Sequence, residues 1–522
     1  MNTTQRAGLV VCLLGPAGGG GGCVTMDSSA IADLDFDRHE LSLADAERST
    51  VVTGFLLGDD VANLAVLTVD DDGARRVRID ALDDGGWVPR VDAALRPEVS
   101  FVDVATIAGR DRLIAYGGGR LTWFDSDAGR EVELVSVVSD FDPPGRAGIP
   151  HVDITHDVND DDRDDLLVPQ TDGVSVFVQT DGGGFADPVT LVLPPGLDRS
   201  FAGDGYRSDP WGSGRVHAAD CDRDGRSDLV YWNGNHFAVH RQDDRGRFDP
   251  APRTMTTDIT FDSDELATLA APLEIHERRM DHELTRDLTG RVLHDITDMN
   301  GDGVADLVIF TLEGGSLWKM STTYEVYYGA PGPPGADGGI VFGSEAGAVI
   351  RRKGIAFGMS RHDFEADGQS DLIFVTIKPS LLKVAGLLLE AFFTGSVSME
   401  LAFHRMEDGR YATKPHGSRT IRSEVAGASG TRALHPAVLV GDVSGDGRAE
   451  LLVQRGRRKL QIFAGVPGPE VFARRPQTLA VDMPKDEEYT WLVDLNRDGK
   501  QDVLMHHASA TEPDRVTTLI AR

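Results

Sequence analysis

The feature that most restricts what this 522-residue chain can fold into is an acidic ten-residue segment that recurs six times. The first copy places Asp157, Asn159, Asp161 and Asp165 at positions 1, 3, 5 and 9, with Arg163 at position 7. The second holds Asp220, Asp222, Asp224, Arg226 and Asp228 in the same places, and the third Asp298, Asn300, Asp302, Val304 and Asp306. The fourth has Asp363, Glu365, Asp367, Gln369 and Asp371. Asp442, Ser444, Asp446, Arg448 and Glu450 form the fifth, and Asp494, Asn496, Asp498, Lys500 and Asp502 the sixth. Their starts lie 63, 78, 65, 79 and 52 residues apart. Chance placement in an acidic protein explains one such segment but not six.

Calcium gives the pattern a physical reason. Ca²⁺ is a hard cation that gathers roughly six to eight oxygens. Side chains at positions 1, 3, 5 and 9 supply oxygens, and the backbone carbonyl near position 7 supplies another. Glycine at position 6 permits the positive φ that wraps the chain round an ion. The first copy has Asp162 there, so its site is expected to be the loosest. An EF-hand loop opens in the same way but needs a bidentate glutamate at position 12 and flanking helices. Position 12 here is Val168, Tyr231, Ile309, Phe374, Val453 or Met505, none a ligand, and each loop runs into an apolar, β-rich stretch. The EF-hand is excluded.

Each loop sits in a unit of one layout. A strand leads in (VDITHD, VHAAD, VLHDITD, WLVD), a strand leaves, and another follows (VSVFVQT, HFAVHRQ, LQIFAG). A turn then ends on an aromatic, Phe185 or Phe248, each 28 residues after the first Asp of its loop; Tyr411 holds the equivalent place after an insertion. Four strands per repeat at this spacing signal propeller blades, the longer periods reflecting decorated loops. Residues 46–150 keep the strand rhythm without the loop and read as two degenerate blades. The expected fold is therefore all-β, a propeller of eight four-stranded blades, or seven if one N-terminal set is something else. The last unit, from Tyr489, holds only about three strands, and a strand near Phe36 to Leu43 would complete it and close the ring.

With these loops and strands the chain resembles the FG-GAP (VCBS-type) repeat proteins, the calcium-loop β-propellers that include the integrin α-subunit head. The likeness covers about 157–522, and Phe342-Gly343 with Gly347-Ala348 loosely echo the motif that names the family. It implies up to six Ca²⁺ ions at the blade edges, bracing neighbouring strands.

Residues 1–22 read as an export signal: Arg6, an apolar stretch from Ala7 to Ala17, then glycines up to Cys23. The segment resembles a bacterial lipoprotein signal with Cys23 acylated, although Gly20 stands where leucine is usual; cleavage without lipid is the alternative. Residues 23–45 follow as a polar tether, and 46–522 as the propeller, with calcium-loop blades over 151–522. The chain is thus expected to be exported, lipid-anchored in the cell envelope or secreted.

The formal charge of −32 disfavours a phosphate backbone, so nucleic acid is excluded as the main partner. The four ligand positions hold 20 carboxylates, and six Ca²⁺ ions would bring the charge to −20. No apolar run reaches the roughly 20 residues of a membrane-spanning helix. Cys12, Cys23 and Cys221 offer no disulfide framework, and Cys221 reads as a small buried residue.

Residues 263–290 read as an inserted helix, and 379–402 as an apolar hairpin, helix or docking surface. His276, Glu277, Asp281 and His282 are spaced as solvated helix residues, and His506 and His507 face opposite sides of a strand. Trp211, Tyr231, Trp232 and Trp318 suit either sugar stacking or a core. There is no GxSxG, P-loop or dinucleotide motif. The favoured function is a non-catalytic scaffold binding a protein or glycan. A structural envelope lipoprotein and a polysaccharide lyase-like enzyme are the alternatives.

Overall fold

The computed structural model describes residues 34–522, except 46–47, 140–147, 171–172, 194–206, 209–215, 263–289, 314–320, 333–338, 378–395, 425–435, 469, 486–488 and 509–511. The signal, Cys23, the inserted-helix expectation, most of the 379–402 stretch, Trp211, Trp318 and the His276–His282 group lie outside the described residues.

The described chain forms eight four-stranded antiparallel blades of a β-propeller. Blade 1 is Thr50–Gly54, Asn63–Val69, Arg75–Asp83 and Gly86–Ala94, innermost strand first. Blade 2 is Val99–Ile107, Arg110–Gly117, Arg120–Asp125 and Arg130–Ser136. Both are the degenerate blades read from 46–150. Blades 3 to 7 begin with Thr155–His156, Val216–Ala219, Gly290–Thr297, Ile355–His362 and Val438–Gly441. Blade 8 consists of Thr490–Val493, Asp502–His507, Arg515–Ala521 and, outermost, the N-terminal strand Phe36–Ser42. Phe36 lies opposite Ala521 and Ser42 opposite Arg515. The strand expected near Phe36–Leu43 thus completes the last blade and settles the count at eight.

The blades read as continuous apolar runs because each buries both of its faces. In the second strand of blade 5, Leu307 and Ile309 pack toward blade 4 among Leu293 and Val230. The alternate residues Val308, Phe310 and Leu312 pack toward blade 6 against Phe374 and Leu372. The period of two is intact, but both phases are apolar. The same division places Leu451 and Val453 toward blade 6 and Leu452 toward blade 8. The core is therefore a series of layers between neighbouring blades, including one that joins blade 8 to blade 1 through Leu504, Val516, Leu64 and Val66.

Some readings are corrected. The lead-in VDITHD is not one strand: His151–Val152 runs parallel to the inner strand of blade 2, and only Thr155–His156 belongs to blade 3. Asp103 of blade 2 causes the division, its carboxylate accepting from the Ile154 N–H and the Thr155 hydroxyl and contacting His151 Nε2. Arg207–Ser208 adds a further parallel strand beside His151–Val152. Gly329–Pro331 pairs with Ile340–Phe342 as a short hairpin outside the blades. The end of the 379–402 stretch is regular strand, since Ser396–His404 is the third strand of blade 6.

Closure by an outer strand from the far end of the chain makes a prediction. A chain beginning at Ala44 is expected to unfold at a lower temperature than one beginning at Val24, and a peptide spanning 34–43 added in trans should recover part of the loss. Equal midpoints would show that the strand does not close the ring.

Candidate metal centre: six acidic loops on one face

Strand direction alternates within each blade, so every turn from first to second strand lies at the same end. All six acidic loops are such turns and therefore share one face of the ring.

Each loop is wound by its own carboxylates. The position-1 side chain accepts the N–H of position 6 in all six: Asp162 to Asp157 at 2.8 Å, Gly225 to Asp220 at 2.8 Å, Gly303 to Asp298 at 2.7 Å, Gly368 to Asp363 at 2.8 Å, Gly447 to Asp442 at 2.8 Å and Gly499 to Asp494 at 3.1 Å. Asp161, Asp224, Asp302, Asp367, Asp446 and Asp498 at position 5 accept the N–H of position 7, so Arg163, Arg226, Val304, Gln369, Arg448 and Lys500 all donate through the backbone. Position 6 has positive φ throughout, from 60° at Asp162 to 85° at Gly225. Position 4 does too, at Asp160, Arg223, Gly301, Ala366, Gly445 and Arg497, which sequence reading missed. Glycine at 301 and 445 was the available signal.

Position 9 does more than its assignment as a ligand implied. Asp165, Asp228, Asp306, Asp371, Glu450 and Asp502 are buried, and each accepts two backbone N–H groups from corresponding places, Glu450 taking a third from Ser444 at 3.1 Å. One comes from position 2 of its own loop, as Met299 to Asp306 at 2.9 Å. The other comes from the end of the blade's third strand or just beyond, as Gly329 to Asp306 at 2.8 Å and Ala521 to Asp502 at 2.8 Å. Burial raises these carboxyls, and neighbouring loop carboxylates add to the rise. Asp165, Asp228, Asp306 and Glu450 reach about 7, and Asp371 and Asp502 about 6.

The loops also tie blade to blade. Gln242 of blade 4 donates to the Asn159 carbonyl at 2.9 Å, and Asn159 Nδ2 donates to the Gly246 carbonyl at 3.1 Å. Ala449 bonds the Phe364 carbonyl at 3.2 Å, Gln501 that of Asp442 at 2.8 Å, and Ala62 of blade 1 that of Leu495 at 2.6 Å. Blades 1 and 2, which carry no acidic loop, are tied in the same way: Asp111 of blade 2 accepts from Phe55 of blade 1, and Asp164, inside the first loop of blade 3, accepts from Thr106 of blade 2.

The donor set of the second loop fits a hard cation. Asp220, Asp222 and Asp224 bring one oxygen each within 4.8 Å of one another. The Oδ1 atoms of Asn159 and Asp222, both at position 3, are buried with no hydrogen-bond partner, as suits oxygens reserved for an ion. In the fourth loop the position-3 side chain is otherwise engaged, because Glu365 pairs with Arg405 and, at 3.5 Å, with Arg448. The other chemical candidates fall to the core. Cys221 is buried, and burial holds its thiol well above the usual range. Tyr231 is a core residue, and Trp232 packs against Phe237 and Phe261. His506 and His507 are both buried, and burial lowers His507 to about 4.

Two predictions test these roles. The position-9 carboxyls are raised by folding, so their contribution to metal-free stability is complete below about pH 4 and is lost as pH rises through 6–7. Calcium must displace those protons, so its increment in unfolding midpoint is expected to be larger at about pH 8 than at about pH 5.5. Equal increments would remove position 9 from the metal. Asp306→Asn leaves a buried N–H facing an amide and is expected to cost about 1–3 kcal/mol in EDTA, and more in calcium because it also removes a ligand. Asp302→Asn, on the exposed side, should lower stability only when calcium is present.

No protein-family model matches the chain, and no curated protein matches it. Among solved structures it is similar to an Agrocybe aegerita lectin, described for specific recognition of non-reducing terminal N-acetylglucosamine. That likeness has 14% identity over 90% of this chain and 98% of the lectin, with a TM-score of 0.40. It is also similar to the Photorhabdus luminescens Tc holotoxin pore, at 16% identity over 85% of this chain and 19% of that one, with a TM-score of 0.29. The propeller assignment rests on the strand pairing itself.

Proposed function

We propose that the chain is an exported, calcium-stabilised β-propeller of the FG-GAP/VCBS type that acts as a non-catalytic scaffold for a protein or glycan ligand. The observation that carries the reading is the repetition of one loop geometry in six successive blades, with position-3 oxygens left unpartnered in two of them. The 20 carboxylates at the ligand positions repel one another in the absence of metal. An ion held by positions 1, 3, 5 and 9 and the position-7 carbonyl supplies the opposing charge. The same loops reach the next blade, so metal binding there becomes stability of the ring.

Attachment to a membrane through lipid on Cys23 is part of the proposal, because small residues precede that cysteine and a polar tether follows it. A ligand-binding role follows from the division of labour: the loop carboxylates are committed to bracing blades, and the turns between second and third strands are left for contact with a partner.

Thermal unfolding of residues 24–522 in EDTA and across a calcium titration, with bound metal counted, tests the reading. A large rise in midpoint with several ions per chain is expected, and a subsequent screen should find a protein or glycan that binds the loaded form. No shift and no bound metal would refute calcium stabilisation.

A further inference from the structure

The path of the N-terminal strand fixes which face of the ring the preceding residues leave from. Ala521, which bonds Asp502 of the sixth loop, stands opposite Phe36, while Ser42 stands opposite Arg515 at the other end of the blade. The strand therefore starts on the acidic-loop face and runs away from it. Its start is held there. The Arg522 N–H donates to the Asp35 carbonyl at 3.0 Å, and the Arg522 side chain pairs with Asp35 and Asp37. Gln477, at the loop end of the outer strand of blade 7, accepts from the Leu34 N–H at 2.7 Å and donates to its carbonyl at 2.6 Å. Everything before Leu34 thus departs from the outer rim of the loop face, between blades 7 and 8.

Cys23 lies eleven residues before Leu34. Whatever its conformation, that length reaches at most about 40 Å. A lipid on Cys23 therefore holds the rim of the loop face near the bilayer surface. We propose that the acidic-loop face is the side of the propeller turned toward the membrane, and that the turns between second and third strands are presented outward. This rests on the acylation of Cys23 proposed above. The loop face brings its 20 carboxylates toward the lipid headgroups, so its approach to an anionic leaflet depends on loaded calcium.

Blade 7 carries a matched pair of reporter positions near the tether. Glu470 is exposed in the loop-face turn after the third strand, and Arg458 is exposed in the opposite turn, the short 3-10 segment Gly456–Arg458. Cys221 is buried and does not compete for label. The full chain is expressed with its signal in a bacterial host, and the N-terminal peptide beginning at Cys23 is weighed for the acyl mass. Glu470→Cys and Arg458→Cys variants are then labelled with a fluorophore. They are placed in calcium on vesicles of phosphatidylethanolamine and phosphatidylglycerol that contain nitroxide-bearing lipid. Quenching is expected to be several-fold stronger at position 470 than at 458, and EDTA should narrow the difference. Equal quenching, or stronger quenching at 458, from a chain carrying the acyl mass would overturn the orientation. Absence of the acyl mass would instead overturn the anchor on which it depends.

Discussion

Every blade of this protein is apolar on both faces, and that constraint governs the rest of the structure. A sheet with one buried face can end at solvent, but a sheet with two needs a neighbour on each side. Only a closed ring gives each blade two neighbours, and the ring closes only if the last blade reaches the first. Leu504 and Val516 of blade 8, packed with Leu64 and Val66 of blade 1, supply that closing layer. The Leu495 carbonyl accepts from Ala62, and the Arg497 guanidinium stacks over the Phe55 ring at 3.6 Å across the same seam.

Charge is the counterweight to this packing. Inside, polar groups serve as links between blades: Asp295 of blade 5 pairs with His217 of blade 4 at 3.0 Å and with Arg361 of blade 6 at 3.1 Å. These partners, with neighbouring His294, hold the Asp295 carboxyl down at about 2 despite its burial. On the loop face the balance is the reverse, since carboxylates gather without enough cations of their own. Arg163 beside Asp161 and Arg226 beside Asp224 offset part of the excess. The position-9 residues show how close the balance runs to its limit, because their burial is compensated only by backbone N–H groups, two each and three at Glu450.

How much of this was legible in the sequence depended on whether a feature is local. The loops could be read because winding the chain round a point needs fixed residue types at fixed offsets, and Gly225 or Gly499 announces its conformation. Blades 1 and 2 could be read from strand rhythm alone. The second role of Asp306 could not, because its partner Gly329 lies beyond an entire strand pair. The division of VDITHD between two blades was equally hidden, since it follows from Asp103, some fifty residues earlier. The left-handed position 4 escaped notice because Arg223, Ala366 and Arg497 occupy it as well as glycine.

The closing strand also sets an order of events. Asp35 and Arg522, which form an ion pair, are separated by 487 residues, nearly the whole chain. Contacts of such sequence separation carry the largest loop-closure entropy and form late. The covering strand is made first, and it cannot meet the third strand of blade 8 until Arg515–Ala521 has been made. Until then one carries an open hydrogen-bonding edge that any other extended segment can occupy. Closure of the ring is therefore a late event: a chain cut short before Arg515 has seven blades in order and no way to shut.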